Sequence, residues 1–127
     1  MRLYETEPEH FGMLSYQAWR AARLVVDTGI HAFGWPRERA IQFMLDKVGL
    51  PEVEVVNEVD RYISWPSQAL AYKIGQRHIE GLRRRSHEKL GSRFDVRAFH
   101  DELLRHGAIP LSTATLVLDR WLSALPT

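Results

Sequence analysis

From about Pro8 to about Ala32 the apolar positions recur at helical spacing and wrap most of the axis, with Ala18, Trp19, Ala21, Ala22, Leu24, Val25, Val26 and Ile30 among them. Tyr16, Arg20, Arg23, Asp27 and His31 interrupt this coat. At about 100° per residue these five fall within an arc of roughly 80°, a single polar stripe on an otherwise apolar rod. One reading is a solvent-facing helix, with Arg23 and Asp27 as a surface pair of little worth. The other is a cleft wall, because charges on a buried helix are costly unless they are paired or wet. Asp27 and His31 are four apart, so the carboxylate can bond the imidazole and fix its tautomer. Gly29 either marks close approach by another element or starts the fraying of the helix end.

The same pattern predicts five more helices. Residues 1–7 carry no periodicity and form an irregular lead-in. Gly34-Trp35-Pro36 punctuates the chain, and a second helix runs from Pro36 to about Val48. It turns Ala40, Ile41, Met44, Leu45 and Val48 inward and ends on Gly49 as its cap. Leu50-Pro51 opens a third, with Val53, Val55, Val56, Val59, Tyr62 and Ile63. Its valine density favours a strand, but the 3.6-residue period fits better than alternation. After the break at Trp65-Pro66, a long helix is expected over about 66–90, closed by Gly91. If the helical phase survives Pro66, Arg61, Gln68, Tyr72 and Gln76 form a second polar stripe. Asp95 caps a fifth helix, Val96 to His106, closed by Gly107. Ser112 caps a sixth, Thr113 to about Leu125, which Pro126 ends. The expected fold is all-α, an irregular bundle of about six helices in a single domain of residues 1–127, with the long helices (about 8–32 and 66–90) at its centre.

Composition narrows the function. Seventeen basic and sixteen acidic residues leave a net charge of +1, which argues against general affinity for nucleic acid or acidic membranes. The absence of cysteine excludes disulfides and thiolate metal sites. No apolar run reaches the length of a membrane span and Met1-Arg2-Leu3 does not begin a signal peptide, so a soluble, cytoplasmic chain is the default expectation. None of the six histidines has another four residues on, so no helix face carries a zinc clamp. His87-Glu88 begins like a zinc-peptidase motif, but Gly91 stands where the second ligand would be. No phosphate loop or nucleophile elbow occurs. Arg83, Arg84 and Arg85 point in different directions with no interleaved aromatics, which fits a solvated face.

Three runs carry a resemblance: FGMLSYQAWRAARLVVDTGIHAFGWPRERAI, EVDRYISWPSQALAYKIGQ and FDVRAFHDELLRHGAIPL. Together they resemble the C-terminal part of a bacterial domain-of-unknown-function family, number eight-eight-five, over nearly the whole chain. Complete members look like helical zinc metallopeptidases. The resemblance sets their His-Glu-x-x-Pro-Gly-His-His motif and a downstream Glu-Gly-Trp segment upstream of the matched region. Neither motif occurs in these 127 residues. The resemblance implies that zinc belongs to full-length relatives, that this chain holds no cofactor or metal, and that it is inactive alone. It makes His31 the oxyanion histidine with Asp27 as its orienter, and Tyr62 the oxyanion tyrosine with Tyr72 in reserve. Arg20, Arg23, Arg61 and Gln68 are the residues for a peptide substrate's carboxylate. The expected partners are a missing N-terminal catalytic half, in the same or a separate chain, or a second copy. The competing class is a non-catalytic helical module for protein interaction or self-association.

Overall fold

The computed structural model describes residues 3–125. Met1 and Arg2 of the lead-in, and Pro126 as the final helix stop, lie outside them. The described residues form six α-helices with two short 3-10 turns and no strand: α1 (Glu7–Phe33), α2 (Arg37–Lys47), α3 (Glu52–Ser64), α4 (Ala71–Leu90), α5 (Val96–Leu104) and α6 (Leu111–Ala124). The all-α reading holds, and Val53–Val59 is helical. The chain divides into two compact units, Met1–Lys73 and Ile74–Thr127, with the boundary inside α4.

The first unit contains α1, α2, α3 and the start of α4. Thr6 opens α1 as a capping box: its hydroxyl accepts from the Glu9 N–H, and the Glu9 carboxylate accepts from the Thr6 N–H. The lead-in therefore ends in a defined cap. Gly34, at φ 63°, closes the helix, and its N–H bonds the Gly29 carbonyl. That turn folds the Trp35 indole back over Gly29, where a Cβ would stand 2.5 Å from indole Cδ2. Gly29 thus marks close approach rather than fraying. Val26 meets Ala40 and Met44 of α2 and Val55, Val59 and Tyr62 of α3 in one apolar core. The i, i+4, i+7 spacing of those three α3 residues explains why the helical period prevails over valine's strand preference.

Several helix boundaries differ from expectation. The fourth helix starts at Ala71, not Pro66, because Ser67 sits at φ 70° and residues 68–70 form a 3-10 turn. The Asp27 carboxylate holds that conformation by accepting from the Ser67 N–H at 3.1 and 3.3 Å. Gly49 does not cap α2 in a left-handed turn. Val48 leaves the helix in extended conformation and buries its side chain in the core. In the second unit Ser112 is not a cap. Pro110 opens α6 two residues earlier, its carbonyl accepting from Ala114 N–H at 2.9 Å.

The second unit packs Leu82 of α4 against Phe99 of α5 and Ala114 and Leu118 of α6, with Phe94, Leu103, Ile109 and Trp121 around them. Asp95 caps α5 as expected, accepting from the Arg97 N–H. The helix ends at Leu104, two residues short of His106, and Gly107 at φ 66° completes the turn. Arg83, Arg84 and Arg85 are all exposed.

Candidate functional site

The polar stripe of α1 is neither a solvated face nor uniformly buried. Its ends, Tyr16 and His31, are exposed, Arg20 is half-buried, and the middle is interior: Arg23 is 7 % and Asp27 2 % exposed. Asp27 and His31 do not bond each other, although their spacing allows it. Asp27 is committed to the Ser67 N–H. The His31 Nε2–H donates to the Tyr62 carbonyl at 2.9 Å, which leaves Nδ1 as the other ring nitrogen. Burial of Asp27 and the pull of the Ser67 turn separate the two groups.

Opposite the stripe, Glu58, Arg61 and Tyr62 lie three and four apart on one face of α3. Glu58 receives a two-pronged bond from Arg61, Nε at 3.0 Å and Nη2 at 2.7 Å, and the Tyr62 hydroxyl donates to it at 2.7 Å. The Trp19 indole N–H donates to the same hydroxyl at 3.0 Å. Tyr62 is wholly buried, and that burial, reinforced by its bond to Glu58, pushes its hydroxyl far above the usual range for tyrosine. Its proton stays on the phenol oxygen and is committed to the bond with Glu58. Tyr72 is different: it is 63 % exposed, and its ring lies under Arg20 and Arg23, each 5.7 Å from the centroid.

Gln68 joins the two polar stripes even though the helical phase breaks at Pro66. Its Oε1 accepts from Arg61 Nη1 at 2.6 Å and from Arg23 Nη2 at 3.4 Å. Arg23 also stacks on the Tyr62 ring at 5.5 Å, and its buried Nε has no hydrogen-bond partner. Arg20, Arg23, Arg61, Gln68, Tyr62 and Tyr72 are thereby brought together. Gln76 instead donates to Glu80. Sequence reasoning missed Trp19, Glu58 and Ser67. The Glu-x-x-Arg-Tyr spacing from Glu58 could have exposed the second, but a left-handed Ser67 has no sequence signal. Among the described residues no three His, Asp or Glu side chains converge to hold a metal ion. The residues present do not fit a zinc site, and no chemistry in this chain is routed through one.

Fold and site define a helical scaffold bearing a cationic, aromatic cluster on its first unit. The family model described as "Bacterial protein of unknown function (DUF885)" matches residues 1–116, and the chain belongs to that family. It is similar to a solved structure from Colwellia psychrerythraea, described as a "putative lipoprotein": 42 % identity, TM-score 0.92, with 97 % of this chain and 21 % of that one covered. The chain thus spans about a fifth of that protein's length. No curated protein matches. Among the described residues no helix is long and apolar enough to cross a membrane.

Proposed function

We propose that this chain is the substrate-side wall of a zinc-peptidase-like hydrolase, inactive alone because the metal site and general base belong to the rest of such a protein. The observation that supports it is the pair Arg20 and Arg23 ranged beside exposed Tyr72, with Arg61 joined to Arg23 through Gln68 and with Arg23 buried and incompletely bonded. The metallopeptidase resemblance supplies the reaction class. In this reading the cluster binds the peptide, and two groups donate to the oxyanion of the tetrahedral intermediate. Tyr72 is the better tyrosine for that role, since the Tyr62 hydroxyl already donates to Glu58. His31 is assigned to the second donor by the resemblance alone, since its Nε2–H is already given to the Tyr62 carbonyl. Asp27 acts on the wall's shape through Ser67.

The test is a full-length family member carrying His31→Ala or Tyr72→Phe at these positions. Loss of one oxyanion donor should lower kcat by about 10²–10³ with a smaller change in KM. Unchanged kcat in both variants removes the roles. Turnover of a fluorogenic peptide panel by the 127-residue chain alone overturns the wall reading. On location, cell fractionation separates cytoplasmic residence from a membrane-associated one.

A second reading, a non-catalytic module that docks a partner or a second copy, is favoured by exposed Phe11, Leu14, Phe33 and Trp65. It expects a dimer by light scattering, and a monomer at high concentration counts against it.

A further inference from the structure

Arg20 is the point where two features of the first unit meet. Its guanidinium stacks over Tyr16 and Tyr72, 5.6 and 5.7 Å from the ring centroids, next to Arg23. It also borders a cavity of about 520 Å³ between α1 and the lead-in, lined by Leu3, Tyr4, Met13, Tyr16 and Gln17. The carboxylates beside the cluster are already committed: Asp27 to the Ser67 N–H, and Glu58 to Arg61 and Tyr62. No ion pair among the described residues involves Arg20 or Arg23, although the charge of Arg23 helps to hold the Glu58 carboxyl low. Arg23 is moreover 7 % exposed with an unmet Nε donor, a costly arrangement that an anion at the cluster offsets.

We infer that this face binds the C-terminal carboxylate of a peptide whose last side chain is apolar. The carboxylate lies on Arg20, with Arg23 behind it. The side chain enters the cavity at Leu3, Tyr4 and Met13. Guanidinium forks match a carboxylate's two oxygens, and the cavity has room for an aromatic ring. Inorganic phosphate would satisfy the arginines but leave the apolar wall unfilled. An acidic last residue is disfavoured because Leu3, Tyr4 and Met13 offer its carboxylate no donor, and Glu9, which also borders the cavity, is itself a carboxylate with its own partners. Its carboxylate accepts from the Glu5 and Thr6 N–H groups at 2.8 and 2.9 Å and is held below the usual carboxylate range by those bonds. This inference rests on the peptidase reading for the peptide nature of the ligand, and names which end of the peptide the wall holds.

The experiment is NMR titration of the 127-residue chain with N-acetyl-Ala-Phe, its C-terminal amide, N-acetyl-Ala-Glu and inorganic phosphate. The Phe acid should shift amides around Arg20 and Tyr72, with at least tenfold weaker binding for the amide and the Glu-ended peptide. Arg20→Ala should weaken the Phe acid at least tenfold and Arg20→Lys less. Both substitutions are at a half-buried position, and circular dichroism reports that the fold is kept. Equal binding of acid and amide, or indifference to Arg20→Ala, overturns the inference. Phosphate binding as tight as the Phe acid reassigns the cluster to a free anion and also overturns it. A full-length relative that hydrolyses peptides while this segment ignores the carboxylate sinks the inference and spares the proposed function. Carboxylate binding without hydrolysis in the full-length protein does the reverse.

Discussion

Residues 74–125 bury Leu82, Phe99, Ala114 and Leu118, and the buried Ser86 hydroxyl simply bonds the Leu82 carbonyl one turn back. Residues 3–73 bury comparable apolar groups but add Arg23, Asp27 and a tyrosine whose hydroxyl bridges Trp19 and Glu58. Removing charges from water is expensive, and well-packed apolar residues often serve stability as well or better. The second unit's interior is accounted for by packing alone. The first unit's is not, and its surplus polarity lies directly under the Arg20–Tyr72 face. That contrast is why the proposed site is sought in the first unit.

The sharpest way to break the contrast is to hollow out the packed core. Phe99 is wholly buried, and Phe99→Ala should cost about 3–5 kcal/mol, through lost transfer energy and the cavity left behind. Urea unfolding measures it. A cost near 1 kcal/mol would mean that the second unit is loosely packed and that apolar burial is not what holds it together.

A smaller loss is expected where volume is kept and only bonding is removed. Tyr62→Phe retains the ring under Arg23 and Arg61 but deletes the hydroxyl, leaving the Trp19 N–H and one Glu58 interaction without their partner. The expected cost is about 1–3 kcal/mol. A neutral Tyr62→Phe would show that the polar interior of the first unit is no more than packing with a hydroxyl attached, and the comparison would collapse. In a full-length relative the same variant should leave kcat close to wild type, because Tyr72 is the proposed oxyanion donor.

The helices were legible because apolar periodicity and Gly or Pro stops are local properties. Val55, Val59 and Tyr62 declared their face, and Gly34, Gly91 and Gly107 all adopt the left-handed conformation their positions imply. Helix starts were less so: Pro110 rather than Ser112 opens α6, since a proline's fixed φ sets the first turn without any side-chain bond. Within the site, the α1 stripe and its arginines could be read from spacing, but their burial could not. Burial comes from α3 and the Ser67 turn packing onto α1, contacts between residues some forty positions apart. The Asp27–His31 pairing failed for the same reason. A four-residue spacing permits that bond, while a distant backbone N–H competes for the carboxylate and wins.

The finest distinction between the units lies in two carboxylates with similar local pairing, Glu58 in the first and Glu102 in the second. Burial opposes the charge on Glu58, but bonds from Arg61 and Tyr62 outweigh it and hold its carboxyl below the ordinary 4.5. Glu102 is held low by the bond from Arg105 and, after it, by His106. A carboxyl whose folded pKa is depressed takes up protons less readily than in the unfolded chain. Its stabilisation is therefore fully present above pH 4.5 and is lost as pH falls through the depressed folded value. Thermal melts of wild type, Glu58→Gln and Glu102→Gln from neutral pH down to about pH 3 read this directly. Both substitutions should flatten the acid fall in Tm, and Glu58→Gln more, since its partners are shielded among Trp19, Arg23 and Tyr62 while the Arg105 guanidinium is largely in water. Glu9 and Asp60 are also held low and keep part of the slope in either variant. Equal flattening would mean that the first unit's polar lattice is screened as thoroughly as a surface pair. The buried charge would then be an accident of packing, and the anion-binding role argued for Arg23 would lose its electrostatic basis.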